Sequence, residues 1–276
     1  MAILIKPLDA PLGAEIIGLD IQCIDKAAKE EILRAWYQYL VLVVRGDKLS
    51  DDDLVQFGRG FGDLENPGVK SPLTTRPEIM VVSNIRDDKG KNLGRLPDGE
   101  MSFHYDMVHQ KRPNKAGILH AIELPPTGGD TCFANMYLAY ETLPDSMKQL
   151  LEGLTALNTY EYGSTNTAAK KLSEGAPTAI HPVVRTIPET GRKALYISRL
   201  MTDRIIGLSE EESRALLSEL CDHCEQPRFI YQHKWRAGDL LIWDNRCTTH
   251  ARTDFDPAAR RLLKRVAVAD TVTPYY

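Results

Sequence analysis

The chain has 276 residues, 43% of them apolar and 26% charged, and a formal charge of −4; this suffices for one large domain or two small ones with a substantial core. Such a charge leaves no basic footprint, so no nucleic-acid partner is expected. The start, MAILIKPLDAPLG, lacks a signal-peptide pattern, and no apolar run nears the roughly 18 residues of a membrane span, so a soluble cytoplasmic protein is expected.

Near the N-terminus, KAAKEEILRAWYQYL places Ile32, Trp36 and Leu40 at helical spacing, an amphipathic helix. VLVVRG follows as a buried strand. SDDDLVQFGRGFG sets Ser50 three residues before Asp53, the start of a short capped helix. Beyond residue 75 short apolar runs recur between Gly- and Pro-rich turns: EIMVVSNI, AGILHAIEL, TCFANM, TALNTYEY, HPVVRTI, KALYISR, FIYQHKW, DLLIWDN and LLKRVAVAD. Many short strands with turns between them predict a sandwich or closed barrel. SEEESRALLSEL interrupts them as a helix, again with a capping pair, Ser209 and Glu212. The expected fold is mainly β with flanking helices around a jelly-roll core, a double-stranded β-helix of cupin-like type. One domain over residues 1–276 is expected, since no repeat or linker divides the chain. Two polar stretches, residues 86–100 and 163–177, are surface loops able to act as lids; the first is favoured because it runs into the motif discussed next.

Five cysteines with irregular spacing form no disulfide framework. Cys221 and Cys224 have CxxC spacing, but no second pair completes a four-sulfur site, and they close a helical pattern.

SFHYDMVHQ places His104 and Asp106 two apart. In an extended segment residues i and i+2 share a face, so the imidazole and the carboxylate point the same way while Tyr105 faces away. Two polar groups on a wet strand face would look the same. A two-histidine, one-carboxylate metal site also requires a distant histidine. Of His120, His181, His223, His233 and His250, the last has the most suitable surroundings: it ends GDLLIWDNRCTTH, read as one apolar strand that turns polar at its end, and precedes Arg261 and Arg265. Four residues apart in a strand, those guanidiniums share a face, with Lys264 on the other. Inward-pointing arginines are costly without an anion to meet them, and the planar guanidinium suits a carboxylate.

These residues, with ELPPTGGDTCFANMYLAYETLP, HPVVRT, GRKALYIS and GDLLIWDNRCTTHARTDFDPAARRLLKRV, resemble the taurine/2,4-D dioxygenase (TauD/TfdA) family of Fe(II)- and 2-oxoglutarate-dependent dioxygenases over nearly the whole length. The resemblance implies that His104, Asp106 and His250 bind iron and that Thr131 hydrogen-bonds 2-oxoglutarate. It implies that Arg261 pairs with the far carboxylate, and that Arg265 helps hold 2-oxoglutarate or an anionic group of the primary substrate. Trp243 and Asn245 would pack and position residues near the site. The implied cosubstrates are 2-oxoglutarate and O2. The reaction would hydroxylate a small anionic substrate (a sulfonate, aryloxyalkanoate or related acid), releasing succinate and CO2. Where the new hydroxyl shares its carbon with a heteroatom, a C–S, C–O or C–N bond would break. Dimers or tetramers are usual in the family. Taurine-binding members carry a histidine after an FGEL-like stretch; here the stretch is FGDLENPGVK, which argues against taurine itself. Asn66, Lys70, Asn84, Tyr105 and Met107 stand where they either shape the primary pocket or serve structure alone. Two rival readings share the ligand pattern: a zinc-dependent hydrolase and a non-catalytic jelly roll that binds an organic acid.

Overall fold

The computed structural model describes residues 3–46, 48–95, 99–160 and 175–276. A hairpin of β1 (Leu4–Pro7) and β2 (Ala14–Ile17) leads into α1 (Lys26–Tyr39). The Asp25 carboxylate accepts from the Ala28 N–H and starts this helix, satisfying a donor the first turn leaves open. Ala28, Ile32, Ala35 and Trp36 form its buried stripe. Next come β3 (Val41–Val44), buried at every position, and α2 (Asp51–Arg59), where Ser50 and Asp53 make the expected reciprocal cap.

The strands of the barrel follow: β4 (Met80–Ser83), β5 (Met101–His104), β6 (Ala116–Glu123) and β7 (Thr131–Asn135). After α3 (Met136–Glu141) and α4 (Asp145–Leu151) come β8 (Thr155–Thr159), β9 (Thr178–Pro182), β10 (Val184–Thr186), β11 (Lys193–Leu195) and β12 (Thr202–Ile205). The chain ends with α5 (Glu210–Cys224), β13 (Ile230–His233), β14 (Leu240–Asp244), β15 (Thr248–Arg252) and β16 (Leu262–Val268).

A seven-stranded sheet runs β1-β2-β3-β14-β6-β16-β4, and a four-stranded sheet runs β13-β7-β15-β5. They are the two walls of a jelly roll. Alternation along the larger sheet serves two cores. Val41, Val43, Leu241, Trp243 and Leu263 face the smaller sheet and meet Phe133 and Ala134. Leu42, Val44, Leu240, Ile242 and Val266 face outward, where Ile32 and Trp36 of α1 and Leu54 and Phe57 of α2 cover them. A sheet buried on both faces reads as a continuous apolar run rather than an alternating one, which accounts for VLVV and DLLIW.

Several elements differ from the expectation. The short helices α3 and α4 were not anticipated, because two turns or fewer show no clear period of 3.6, nor was the first hairpin, whose four-residue strands are too short to show a clear alternation. The run ending in His250 is not one strand. β14 stops at Asp244, a turn follows, and β15 begins at Thr248 in the opposite sheet. Cys221 and Cys224 sit buried on α5 among core side chains, and burial pushes both thiols up. Among the described residues no helix is long and apolar enough to cross a membrane. Residues 161–174, most of the second polar stretch, lie outside the described residues.

Gly117 of β6 pairs with Trp243 of β14, and a Cβ there would lie 2.1 Å from the indole. Only glycine lets the ring lie flat across the strand. Gly117→Ala is expected to cost about 1–3 kcal/mol by overpacking, read as a lower urea midpoint at unchanged slope; an unchanged midpoint would refute this account of Gly117.

Candidate metal and cosubstrate site

His104 ends β5 and lies directly across from His250 of β15 in the antiparallel register. Their rings stand 4.1 Å apart. Asp106 is not in the strand, as the i, i+2 argument supposed; it lies in the turn beyond it. That turn includes Met107 at φ 57°, a left-handed conformation uncommon outside glycine. Asn245, from the turn between β14 and β15, holds Asp106 in place. Its Oδ1 accepts from the Asp106 N–H at 2.9 Å. Its Nδ2 donates to the Asp106 carbonyl at 3.0 Å and to the Asn114 carbonyl at 2.9 Å.

The result is a His–Asp–His metal site. His104 Nε2 is 3.9 Å and His250 Nε2 3.7 Å from the two Asp106 carboxylate oxygens, and one donor atom from each residue lies within 4.8 Å of the others. An ion bonded at about 2.1 Å would draw neighbouring donors to about 3 Å apart, a movement of less than about 1 Å. The protonation states suit a cation. His104 Nδ1 lies 3.0 Å from the Ser102 carbonyl; a proton donated there leaves the Nε2 lone pair facing Asp106. Burial, with His104 alongside, brings the His250 pKa down to about 3, and burial lowers His104 as well. Burial also works to raise Asp106, but Arg265, His250 and His104 outweigh it and hold the carboxyl below its usual range. Two neutral imidazoles and an ionised carboxylate are ready at neutral pH.

The site opens into a cavity of about 340 Å³. Arg261, just before β16, lines its far wall at 2% exposure. Its Nη2 donates to the Gly129 carbonyl at 3.1 Å, while its Nε meets no acceptor. Burial, with Arg252 nearby, lowers its pKa to about 9. Thr131, the first residue of β7, lines the same wall and accepts from Trp235 Nε1 at 3.0 Å. Arg265 also faces the cavity, its Nη2 2.6 Å from Asp106 Oδ2, while Lys264 turns to the opposite face and pairs with Asp51 at 2.6 Å. A free guanidinium edge and a hydroxyl some way from the metal site fit the far end of a keto-diacid.

Of the five residues considered for the primary pocket, only Met107 lines the cavity. Tyr105 is fully buried on the other side of the chain, donating to the Leu195 carbonyl at 2.7 Å and packing on Tyr196. Asn84 lies behind Arg261: it accepts from the Arg261 N–H at 2.9 Å and donates to the Pro257 and Ala259 carbonyls. Asn66 and Lys70 are exposed, and Asn66 closes a local turn onto the Gly68 N–H. Other lining residues went unforeseen: Arg252, Arg95, His109, Tyr160, Met80, Met101 and Met201. Arg252 was legible, since it stands two after His250 in a strand and so shares its face.

A jelly roll with such a donor set and a buried arginine lining the same cavity matches the class of Fe(II)- and 2-oxoglutarate-dependent dioxygenases, which also use O2. Residues 4–267 match the family described as "Taurine catabolism dioxygenase TauD, TfdA family", and the chain belongs to that family. Pentalenolactone F synthase of Streptomyces avermitilis is 36% identical, over 96% of this chain and 94% of that one. The alpha-ketoglutarate-dependent 2,4-dichlorophenoxyacetate dioxygenase of Cupriavidus pinatubonensis is 33% identical, over 98% and 99%. The crystal structure of AAD-2 with Mn(II) and N-oxalylglycine superposes with a TM-score of 0.84 at 29% identity, covering both chains in full. The hydrolase and passive-binder readings find no support. Asp106 is the only carboxylate among the described lining residues, so no glutamate stands there as the general base of a zinc-dependent hydrolase.

Unfolded histidines take up a proton near pH 6.5. Folded, His250 does so only near 3, and burial lowers His104, His109, His181 and His233 too. Between those values the unfolded chain holds more protons, so stability is full above about pH 6.5 and is lost as pH falls towards about 3. Urea midpoints of metal-free protein are expected to drop steadily from about pH 7 to about pH 4, and His250→Asn to make the decline shallower. A flat profile would contradict burial of neutral imidazoles.

Proposed function

We propose that His104, Asp106 and His250 bind Fe(II), that Arg261 and Thr131 hold the far carboxylate of 2-oxoglutarate, and that Arg265 receives the anionic group of the primary substrate. The observation that carries this reading is the meeting of the three donors at one end of a cavity whose other wall presents Arg261. When bound, the iron with 2-oxoglutarate and O2 supplies the oxidation, splitting the keto-acid to succinate and CO2 and placing the second oxygen atom on a substrate C–H. The chain's own part is placement. A keto-diacid gripped at its far end by a buried guanidinium has one orientation left, so its entropy is surrendered on binding rather than during the reaction. Arg265 lies next to Asp106, so an anion drawn to it would bring its carbon skeleton close to the metal site.

The primary substrate in this reading is a small organic anion with an apolar body. Met80, Met101, Met107 and Met201, four of the seven methionines, line the cavity with Val82, Leu119 and Trp243. Thioether side chains are flexible and polarizable, so they adapt to varied apolar shapes. The relative acting on 2,4-dichlorophenoxyacetate has a substrate of this kind. The absence of a histidine from FGDLENPGVK remains an argument against taurine. We take residues 1–276 as one functional unit whose lid is the stretch 86–100, of which residues 96–98 lie outside the described residues: Arg95 borders the cavity, and the Gly99 carbonyl accepts from Arg252. Hydroxylation beside a heteroatom would lead on to bond cleavage.

The test is succinate release with Fe(II), 2-oxoglutarate and O2 across aryloxyalkanoates, sulfate esters, sulfonates and amino-acid-like acids. His104→Ala is expected to abolish it. Arg261→Met is expected to raise KM for 2-oxoglutarate at least about tenfold, the loss of one charge-assisted contact. Arg265→Ala is expected to depress turnover of anionic substrates more than of neutral analogues. Iron-dependent turnover surviving in His104→Ala would sink the assignment.

A further inference from the structure

We infer that Trp235 is a positioning residue for 2-oxoglutarate: it fixes the direction in which the Thr131 hydroxyl donates, and so helps that hydroxyl hold the far carboxylate. The inference rests on the role proposed above for Thr131.

The argument begins with what each group is able to do. An indole N–H only donates, whereas a threonine hydroxyl donates one proton and also accepts. Trp235 Nε1 lies 3.0 Å from Thr131 Oγ1, so at that contact the threonine oxygen is the acceptor. Its own proton is then directed elsewhere. Thr131 is 4% exposed and faces the cavity beside Arg261. A hydroxyl polarised this way presents a proton to the cavity, which suits a carboxylate. Without the indole the hydroxyl rotates, and a lone pair facing the anion would repel it. Accepting one bond also strengthens the bond the same hydroxyl donates.

Trp235 is itself held. It follows β13 and meets His233 edge-on, the ring centroids 4.5 Å apart at 85°. His233 is completely buried. Its Nε2 lies 3.2 Å from Asp239 Oδ2 and its Nδ1 2.8 Å from the Tyr231 hydroxyl. The carboxylate only accepts, so Nε2 carries the proton and Nδ1 accepts from Tyr231. Asp239 Oδ2 also accepts from the Arg236 N–H at 2.8 Å and pairs with Arg45 Nη1 at 2.5 Å. The imidazole cannot swing without breaking two hydrogen bonds, and the indole against it keeps its N–H on Thr131. The metal-site reaction requires none of these groups, yet together they form a chain of contacts leading to the cosubstrate wall.

The experiment compares two keto-acids on Mn(II)-loaded protein by titration calorimetry: 2-oxoglutarate, and 2-oxovalerate, which carries a methyl group in place of the far carboxylate. Trp235→Phe keeps the ring and removes the N–H. It is expected to weaken 2-oxoglutarate about three- to tenfold, the worth of one neutral hydrogen bond, while leaving 2-oxovalerate and the melting temperature unchanged. In turnover, KM for 2-oxoglutarate should rise and kcat hold. Thr131→Val should show a similar loss, and the double variant should lose no more than the worse single one. Three results overturn the inference alone: Trp235→Phe binding 2-oxoglutarate at full strength while Thr131→Val does not; both keto-acids weakening alike in Trp235→Phe; or losses that multiply in the double variant. Full affinity in Thr131→Val overturns the inference together with the role proposed for Thr131.

Discussion

One side-chain amide, that of Asn245, joins the two halves of the metal site. It pairs with both the N–H and the carbonyl of Asp106, across 139 residues of chain. The turn beyond β5 is too short and too irregular to hold a carboxylate by itself, and Met107 within it sits in a left-handed conformation. Asn245 is buried, so its amide has no water to turn to, and releasing Asp106 would leave polar groups unsatisfied in the interior. The same turn that carries Asn245 passes the chain from the larger sheet to the smaller and starts the strand bearing His250. A single local structure thus fixes the carboxylate and sets the course of the distal imidazole.

The arginines separate into two kinds by what they meet. Arg246 is buried against Asp244 at 2.7 Å and Glu189 at 2.7 Å, and Arg185 against Asp270 at 3.2 Å. These are internal ion pairs in which each charge has its partner. Arg261 is buried as deeply, but among the described residues no carboxylate pairs with it, and its side chain donates to the Gly129 carbonyl. Burial and Arg252 work against this cation, and the Asp130 carboxylate offsets them only in part; a buried cation without a paired anion is costly, and an anionic ligand would remove much of that cost. Arg265 is intermediate: its contact is the Asp106 carboxylate, which belongs to the metal site. This difference in partnering separates Arg261, proposed to hold the cosubstrate, from the structural pairs, and sequence spacing does not reveal it.

Much of the centre was legible because its chemistry is written in residue types that are expensive to bury. An imidazole and a carboxylate two apart, a histidine closing an apolar run, and two arginines four apart, one just before the next strand and one within it, each demand a reason. The fold was legible to the same degree, from the frequency of short apolar runs between turns. The pocket walls were not. Met80, Met101 and Met201 come from three separate strands and loops, and a methionine has the same sequence signature in any core. Tyr105 stands between two metal-site residues in sequence and Asn84 just beyond β4, yet the chain past each strand end turns one into the opposite core and sets the other behind Arg261.

Sequence alone determined the class of architecture, through the frequency of short apolar runs, and pointed to the donor set and the two arginines by residue types that are costly to bury. Local periodicity settled which side chains share a face within a strand, such as His250 and Arg252, but not Asp106, which lies in a turn. Tertiary structure decided what those faces meet. It split the run ending in His250 between two sheets, put Asp106 in a turn that an amide 139 residues away must hold, and set Trp235 against Thr131. Those outcomes depend on register between distant strands, and register arises from the packing of two whole sheets, which no short stretch of chain contains.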